Sequence, residues 1–259
     1  MIDLQQAADT LVRDHANKRE LVPFARDWGA IDLSNAYAIQ AAFVQGLAPV
    51  HGRRVGYKIG LTSKRMQQMC NIDHPVAGVV LHKRLHASGV RLTVSELVRM
   101  GIEFEICVRL GRALEPRDQP YGMEDVATAV DAVAPAVEVI DDRNSPYPLD
   151  MLSLVADNAW NEGIVLGAWR TSWPDLAAAR GVVVLNGEAI DEGHGCDVLG
   201  HPFEPLRWLA NHLSAQGETL QPGEIVSTGS LVTTRFPKAG EQYRFTVEGV
   251  GAVALVLDP

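Results

Sequence analysis

Residues 101–110, GIEFEICVRL, alternate apolar and polar side chains along almost their whole length. This two-residue period predicts a β-strand with one face in a hydrophobic core, because successive strand side chains point to opposite faces. Glu103 and Glu105 share the other face, roughly 6.5–7 Å apart along the backbone. Two like charges held this close are unfavourable unless water or a cation compensates them. The strand therefore predicts a sheet and raises the question of what lies over its acidic face.

The remaining periodicities divide the chain into a helical first part and a strand-rich remainder. Helices are predicted at 2–15, from a cap at Asp32 or Ser34 to about Pro49, from a cap at Ser63 to Met69, at 123–133, and at 204–216 before Gly217. Strands are predicted at 54–61, 102–110, 134–140, 181–185, 188–190, 224–227, 241–248 and 251–257, with hairpin turns at Asn186-Gly187 and Gly249-Val250-Gly251. The expected fold class is α+β, with a helical subdomain at 1–52 and a strand-rich domain at 53–259.

Composition excludes several classes of protein. The chain has 259 residues and a formal net charge of −9, which argues against nucleic acid or an anionic membrane as its main partner. No apolar run is long enough to span a bilayer, and the first residues lack the basic and apolar blocks of a signal peptide. Cys70, Cys107 and Cys196 are too scattered for a disulfide framework or a zinc site. A soluble, cytoplasmic protein is expected.

A third carboxylate stands out in the predicted strand at 134–140, APAVEVI, which is apolar on both faces except for Glu138. A buried carboxylate needs a partner. In one interpretation Glu103 and Glu105 face water beside Arg109, and Glu138 pairs with an arginine. In the other, the three glutamates form an all-oxygen site for a hard divalent ion such as Mg²⁺ or Mn²⁺. Their spacing alone is compatible with both.

An unusual lysine lies in the predicted strand within residues 55–63, VGYKIGLTS. Desolvation disfavours a charge inside an apolar strand. Lys58 therefore either snorkels to the surface or faces a carboxylate-bearing substrate or an enolate. The flanking Gly56 and Gly60 indicate close approach of another group or backbone. Residues 156–163, ADNAWNEG, form either a polar turn or the polar wall of a pocket.

Short motifs follow one another in a characteristic order along nearly the whole chain. They are Ala36-Tyr37-x-x-Gln40, the segment 56–63, Glu103-x-Glu105, 137–141 with Arg143, 156–159, 199–202, 208–211, 228–231, 238–241 and 249–251. In this order they resemble the 2-keto-4-pentenoate hydratase / 2-oxo-3-hexenedioate (4-oxalocrotonate) decarboxylase family, which has the fumarylacetoacetate hydrolase-like fold. The ordered set is far more specific than any one motif.

The resemblance implies roles for the acidic residues and the lysine. Glu103, Glu105 and Glu138 would bind Mg²⁺ or Mn²⁺, and the substrate would be a 2-hydroxy-2,4-dienoate, or its 2-oxo tautomer, from degradation of an aromatic ring. The cation would stabilise negative charge that develops on the C2 oxygen, and Lys58 would add a second positive charge. Hydration adds water at C4, whereas decarboxylation releases a distal carboxylate as CO₂. One electron sink serves both reactions.

The resemblance also points to residues around that sink. Hydratases of the family carry an acid in a turn after the lysine strand, where this chain has Val76, so Asp73 or His74 is the candidate catalytic acid or base. Trp160 stands where small residues are usual and would narrow the pocket. The candidate substrate-binding residues are Thr62, Ser63, Val76, Asn158, Trp160 and Ser230.

The leading interpretation is a metal-dependent hydratase of the 2-keto-4-pentenoate type. The alternatives are decarboxylation of an oxo-hexenedioate, C–C bond hydrolysis of an acylpyruvate, and a non-catalytic partner subunit of a sister hydratase or decarboxylase. Residues 228–231 resemble the hydratase branch, whereas residues 200–202 resemble the decarboxylase branch. The resemblance and the apolar run at 252–257 also imply a homo-oligomer.

Overall fold

A computed structural model describes residues 3–27, 29 and 31–259. Its helices are α1 (Leu4–Ala16), α2 (Phe24–Asp27), α3 (Leu33–His51), α4 (Lys64–Met69), α5 (Met123–Ala129), α6 (Met151–Ala156) and α7 (Phe203–Ser214). Its strands are β1 (Arg54–Gly60), β2 (Val76–Leu81), β3 (Leu85–Ala87), β4 (Val90–Thr93), β5 (Met100–Leu110), β6 (Val130–Asp141), β7 (Asn161–Leu166), β8 (Arg180–Leu185), β9 (Glu188–His194), β10 (Ile225–Ser230), β11 (Gln242–Val247) and β12 (Gly251–Asp258). The predicted α+β class, with a helical first part and a strand-rich remainder, is confirmed.

Capping residues precede both long N-terminal helices, and the predicted cap at Asp32 is confirmed. Asp3 caps α1 by accepting a hydrogen bond from Gln6 N at 3.0 Å, and Asp32 caps α3 by accepting one from Asn35 N at 2.7 Å. The predicted first helix began at Ile2, which lies outside the described residues. These caps satisfy backbone N–H groups that have no partner inside the helix.

The apolar faces of α1 and α3 meet in a core cluster that also includes strand and turn residues. Leu11 and Phe43 contribute from the helices, and Val76 and Ala159 contribute from the strand-rich part. The helical part therefore packs directly on β2 and on the turn that precedes β7. Among the described residues, no helix combines the length and apolarity needed to cross a membrane.

The described strands form two sheets. The larger has the order β2-β1-β10-β5-β6-β7-β3, and the smaller has the order β4-β12-β11-β8-β9. In the larger sheet β1 runs parallel to β10, and β5 pairs antiparallel with both β10 and β6. One face of this sheet joins the smaller sheet and α7 in the main core, which includes Phe104, Val137, Phe245 and Leu206.

The opposite face of the larger sheet, here called the acidic face, carries the three glutamates. Glu103 on β5 stands directly opposite Glu138 on β6 in the antiparallel register. Lys58 on β1 lies three strand spacings from Glu138, about 14 Å between backbones in a flat sheet. Their long side chains span this gap, and Lys58 Nζ is 3.3 Å from Glu138 Oε1. Side chains from strands that do not pair therefore meet on this face.

Several boundaries differ from the sequence-based predictions. The helix predicted at 123–133 ends at Ala129, because residues 130–133 join β6 and pair with β5. Short Ala- and Val-rich runs fit either period, so pairing with a neighbouring strand decides the outcome. α3 continues past Pro49 to His51 and ends at Gly52, whose φ is +84°. The predicted hairpin at Asn186-Gly187 is confirmed, with φ values of +50° and +93°.

Candidate active site

Three carboxylates converge on the acidic face. Glu103, Glu105 and Glu138 each place a carboxylate oxygen within 4.8 Å of the other two. Glu105 and Glu138 are fully buried, and Glu103 is partly buried. Arg109 does not serve these glutamates, because it pairs with Asp131 at 2.8 Å. The geometry is the one that the all-oxygen interpretation requires.

Lys58 reaches into the same cluster from β1. Its Nζ lies 3.3 Å from Glu138 Oε1 and donates a hydrogen bond to Ala159 O at 3.0 Å. Lys58 is 4% exposed, so it does not snorkel to the surface. Burial alone would lower the pKa of Lys58, but the carboxylates of Glu138, Glu103 and Glu105 raise it above its usual value. The ammonium group is therefore charged.

Within the described residues, Lys58 alone pairs with these glutamates, so positive charge falls short of their negative charge. Burial raises the pKa of Glu105 to about 7, with Glu103 as the next cause, and burial raises the pKa of Glu138 well above its usual value despite Lys58. If all three carboxylates ionise, one ammonium leaves two negative charges uncompensated. A divalent cation would supply that compensation.

Two carboxylate oxygens also lack protein partners. Glu105 Oε1 and Glu138 Oε2 are buried, and no hydrogen-bond partner for them lies within the described residues. Buried polar atoms are nearly always hydrogen-bonded, so such atoms indicate a missing ion, water or ligand. The set is all oxygen, which suits a hard cation such as Mg²⁺. The residues present therefore fit a divalent metal ion.

The second oxygen of each buried glutamate is held by the protein. Ser227 Oγ and Gly229 N donate to Glu105 Oε2 at 2.5 Å and 2.9 Å. Asn161 Nδ2 donates to Glu138 Oε1 at 2.8 Å. Partners of this kind orient metal ligands and tune their affinity.

These supporting groups were not among the sequence-based candidates. Asn161 stands within the polar segment 156–163, and Ser227 directly precedes the motif at 228–231, so both had a sequence signal. Thr234 donates to Glu103 Oε1 from the loop after β10, where no motif marks it. The strand order of the sheet and its loops bring these donors to the carboxylates.

Glycines let neighbouring backbone approach the lysine strand. A Cβ on Gly56 would lie 2.0 Å from Ile225 O, which confirms the predicted close approach of another backbone. A Cβ on Gly78, opposite Lys58 in β2, would lie 2.4 Å from Asn158 O. Gly78 therefore allows the turn before β7 to lie over the lysine.

The turn before β7 has an uncommon backbone. Asn158, Ala159 and Trp160 have φ values of +53°, +49° and +64°. The left-handed region costs roughly 1–2 kcal/mol per non-glycine residue, so three in succession need support from their surroundings. Asn158 provides part of it, because its amide accepts from Val79 N at 2.7 Å and donates to Val79 O at 2.9 Å. With both ends engaged by β2, this amide has a structural role here.

The turn delivers one group to each side of the Lys58–Glu138 pair. Ala159 O accepts from Lys58, and Asn161 donates to Glu138. Between them, Trp160 borders a cavity of about 170 Å³ that Tyr147, Asp150 and Ser153 also line. The indole Nε1 is buried, and no partner for it is found in the described part of the chain.

Val76 and Thr62 lie at the acid cluster. A Cβ built on Gly60 would lie 3.4 Å from both Lys58 Nζ and Val76 Cγ2, which places the fully buried Val76 near the ammonium group. A Cβ on Gly229 would lie 2.0 Å from Thr62 Oγ1, so the Thr62 hydroxyl packs on the backbone that holds Glu105.

The two serines that were predicted to bind substrate contact backbone groups. Ser230 Oγ accepts from Phe104 N at 3.0 Å, between the two β5 glutamates. Ser63 Oγ accepts from Met66 N at 3.3 Å and caps α4. Ser230 thus holds β5 in place, and Ser63 has a capping role.

The candidate acids and bases lie at the bend before β2. Asp73 is exposed, and His74 is partly buried with its ring nearly parallel to that of Trp208, 6.2 Å between centroids. His74 Nδ1 lies 2.7 Å from Pro75 O. Because a carbonyl only accepts, Nδ1 carries a proton, and in the neutral ring Nε2 is the free acceptor. No contact of either residue with the three glutamates is found among the described residues.

The chain is similar to known proteins over almost its whole length. Residues 51–257 match the fumarylacetoacetate (FAA) hydrolase C-terminal family. The chain is 32% identical over 251 residues to the 2-keto-4-pentenoate hydratase of Paraburkholderia xenovorans (strain LB400), covering 96% of this chain and 93% of that protein. It is 33% identical over 242 residues to the 2-hydroxyhexa-2,4-dienoate hydratase of Comamonas testosteroni, covering 92% and 90%. Its structure resembles that of 4-oxalocrotonate decarboxylase from Pseudomonas putida G7 complexed with magnesium and adipate, with a TM-score of 0.90, 28% identity, and coverage of 98% and 97%.

Proposed function

The chain belongs to the fumarylacetoacetate hydrolase family, and from that premise we propose that it is a divalent-metal-dependent hydratase. Its substrate would be a 2-hydroxy-2,4-dienoate of the 2-keto-4-pentenoate type, and its product a 4-hydroxy-2-oxo acid in aromatic-compound degradation. The convergence of three glutamates beside a buried, charged lysine carries the proposal. Similarity above 30% to two hydratases supports it. Mg²⁺ and Mn²⁺ are the proposed cations, held by Glu103, Glu105 and Glu138.

The residues of this chain would share the work as follows. A bound divalent cation would supply positive charge next to the substrate's carboxylate and C2 oxygen, where negative charge develops. Lys58 Nζ has three N–H donors, and Glu138 and Ala159 O engage two of them. The third can donate to the C2 oxygen. Burial of this ammonium group strengthens that interaction, because the local dielectric is low.

Hydration also needs a group that moves protons near C4 of the substrate. His74 is our candidate base, through Nε2, since its Nδ1 proton is engaged by Pro75 O. Asp73 is the second candidate, and its exposure at the bend before β2 leaves it free to move. Trp160 and Thr62 would bound the space available to the substrate.

Decarboxylation of 2-oxo-3-hexenedioate is the alternative. The observation that favours it is Val76, an apolar and fully buried residue near Lys58 where the family's hydratases carry an acid. Similarity to the decarboxylase structure from P. putida G7 supports it as well. Acylpyruvate C–C hydrolysis and a non-catalytic partner subunit of a sister enzyme remain further alternatives. We also propose a cytoplasmic location.

Product analysis separates these alternatives. The purified protein is incubated with 2-hydroxypenta-2,4-dienoate or 2-oxo-3-hexenedioate, with Mg²⁺ or Mn²⁺ and with EDTA. A hydratase converts the first substrate to 4-hydroxy-2-oxopentanoate only when metal is present. Release of CO₂ from the diacid without hydration of the dienoate would support the decarboxylase instead. Metal binding without turnover of either substrate would leave the acylpyruvate hydrolase and the partner subunit, and incubation with an acylpyruvate then separates these two.

Val76→Asp is expected to raise hydration of 2-hydroxypenta-2,4-dienoate without raising CO₂ release from the six-carbon diacid. A positioned acid or base typically contributes about 10²–10⁴ in rate. An Asp at this position would lie near Lys58 Nζ, whose charge favours the ionised carboxylate. Initial rates on both substrates, with thermal melting to check folding, measure the effect.

Val76→Asn is the matched control, because the Asn side chain has the same shape as Asp and cannot act as an acid or base. Hydration should rise in Val76→Asp and not in Val76→Asn. Equal hydration by the two variants, with metal still bound, would show that position 76 does not separate the two reactions. His74→Gln and Asp73→Asn would then be the next variants to measure.

A homo-oligomer is the proposed assembly. β12 buries Val253, Leu255 and Leu257 in the core, but the other face of the strand, with Ala252 and Val256, is only partly buried. A second copy of the chain would cover this apolar face, as closed symmetric assemblies commonly do. Sedimentation velocity at micromolar concentration should show a stable oligomer, and a monomer would contradict this proposal.

A further inference from the structure

A buried network of charges links α1 to the turn before β7. His15 Nε2 lies 2.6 Å from Asp157 Oδ1, and His15 Nδ1 lies 3.2 Å from Glu162 Oε1. The three side chains are 11%, 0% and 9% exposed. Arg143 Nε donates to Asp157 Oδ2 at 2.9 Å, and Arg84 lies 2.9 Å from Glu162 Oε2. The proposed chemistry gives these five groups no role.

His15 is charged in this network. Nε2 is within hydrogen-bond distance of Asp157 Oδ1, and Nδ1 lies at an ion-pair distance of 3.2 Å from Glu162 Oε1 without hydrogen-bond geometry. The imidazolium form suits both contacts, because it carries an N–H on each nitrogen and a positive charge. Burial alone would lower the pKa of His15, but Asp157 and Glu162 raise it to about 9. The other charged neighbours among the described residues are Arg143 and Arg84, which pair with the same two carboxylates. The titratable His51 also lies close enough to interact with His15 and Glu162. His15 therefore binds two negative groups at once.

These two carboxylates bracket the turn that serves the acid cluster. Between them in sequence, Ala159 O accepts from Lys58, and Asn161 Nδ2 donates to Glu138. Ala159 belongs to the left-handed run at 158–160, and Asn161 directly follows it. Such a run is strained unless its surroundings support it. Anchoring both ends of the segment restricts how far its middle can move.

We infer that His15 is a positioning residue for the active site. By holding Asp157 and Glu162 together, it keeps the turn in the conformation that places Asn161 on Glu138 and the Ala159 carbonyl on Lys58. The inference rests on the proposed metal-dependent function of the glutamate cluster. It assigns the N-terminal helix α1 a part in the chemistry, although α1 contributes no group that touches the cluster.

Calorimetric titration with Mn²⁺ tests this inference without relying on activity. His15→Gln should weaken Mn²⁺ binding by up to roughly 10-fold, the lower end of the loss typical of removing an outer partner of a metal ligand, because His15 acts on that partner, Asn161, through the turn. Leu11→Ala is the matched control, because it removes core contacts of the same helix and leaves the charged network intact. It should lower the melting temperature and leave the Mn²⁺ affinity within about twofold of wild type.

A double-mutant cycle tests the route through Asp157. If His15 acts by holding this carboxylate, His15→Gln combined with Asp157→Asn should bind Mn²⁺ no more weakly than the worse single variant. Additive losses would contradict that route. Equal weakening in His15→Gln and Leu11→Ala would show a general packing effect, and unchanged affinity in His15→Gln would contradict the inference directly.

Wild type alone also tests the charge on His15, should the variants fail to fold. A group whose pKa is raised on folding keeps its proton until the pH rises past the folded-state value. Spectra of ¹⁵N-histidine-labelled protein should therefore show His15 doubly protonated at pH 7.5 and titrating near pH 9. A neutral His15 at pH 7.5 would overturn the inference.

The Mn²⁺ titrations also distinguish failure of the inference about His15 from failure of the proposed metal-dependent function on which it rests. A wild type that binds no Mn²⁺ would overturn the proposed function, and this inference with it. A wild type that binds Mn²⁺ normally, with His15→Gln binding equally well, would overturn the inference alone.

Discussion

Glu138→Gln is expected to abolish both divalent-metal binding and turnover while leaving the fold intact. Gln has the same size, and its carbonyl oxygen can still accept from Asn161 and Lys58. Its amide nitrogen would then replace the buried Oε2, for which the described residues offer no hydrogen-bond partner. The change removes one ligand and one negative charge, so the loss of affinity should exceed the roughly 10–100-fold typical of outer-shell changes. Titration with Mn²⁺ and product assays measure the two effects.

Glu224→Gln is the matched control for Glu138→Gln. Glu224 is a buried glutamate just before β10. Its Oε1 pairs with Arg54 Nε at 2.9 Å, and it is not part of the acidic cluster. The same substitution there should leave metal affinity and activity close to wild type. If Glu138→Gln bound Mn²⁺ as tightly as wild type, the assignment of the metal site would be wrong.

Lys58→Met is expected to slow hydration of the dienoate by about 10²–10³-fold, as loss of one preorganised donor to a developing oxyanion does. Any decarboxylation of the diacid should slow as well, because both reactions need negative charge on the C2 oxygen. The Met side chain is apolar and similar in length to that of Lys, so it leaves no large cavity in the buried site. Metal affinity should be retained or increase, because the substitution removes a positive charge beside Glu138. Steady-state rates and Mn²⁺ titrations of one preparation measure both quantities.

Glu138→Gln and Lys58→Met together separate metal binding from chemistry, because the first is expected to lose the metal and the second to keep it. Lys83→Met controls for loss of a lysine, since Lys83 is exposed on the turn after β2. It should behave as wild type in both measurements. A Lys58→Met enzyme with normal rates would show that the ammonium group has no part in the reaction.

Local patterns in the sequence predicted several of the strands and singled out the three glutamates, while leaving open whether they bind a cation. The alternation at 101–110 places Glu103 and Glu105 on one face, and that face is where the structure has them. The isolated Glu138 in an apolar strand predicted a buried carboxylate that needs a partner. Each of these depends on residues close together in the chain, so periodicity suffices.

The surroundings of the cluster depend on contacts between distant segments. Whether Lys58 meets Glu138 is decided by the strand order of the sheet, because two other strands lie between them. The donors Ser227 and Thr234 come from more than a hundred residues further along the chain than the β5 glutamates. The left-handed turn at Asn158–Trp160 contains no glycine, so the sequence gives no signal for it. Such features follow from packing, which a one-dimensional pattern does not contain.

The parallel pairing of β1 with β10 has a consequence for how the protein is made. Gly56 and Ile225 are register partners separated by 169 residues of chain. At a synthesis rate of about 5–20 residues per second, β1 waits on the order of ten to thirty seconds for its neighbour to leave the ribosome. Closing so long a loop before any pairing is gained also slows folding. The nascent β1 therefore stays unpaired on the β10 side, and Lys58 reaches its place only after β10 has been synthesised.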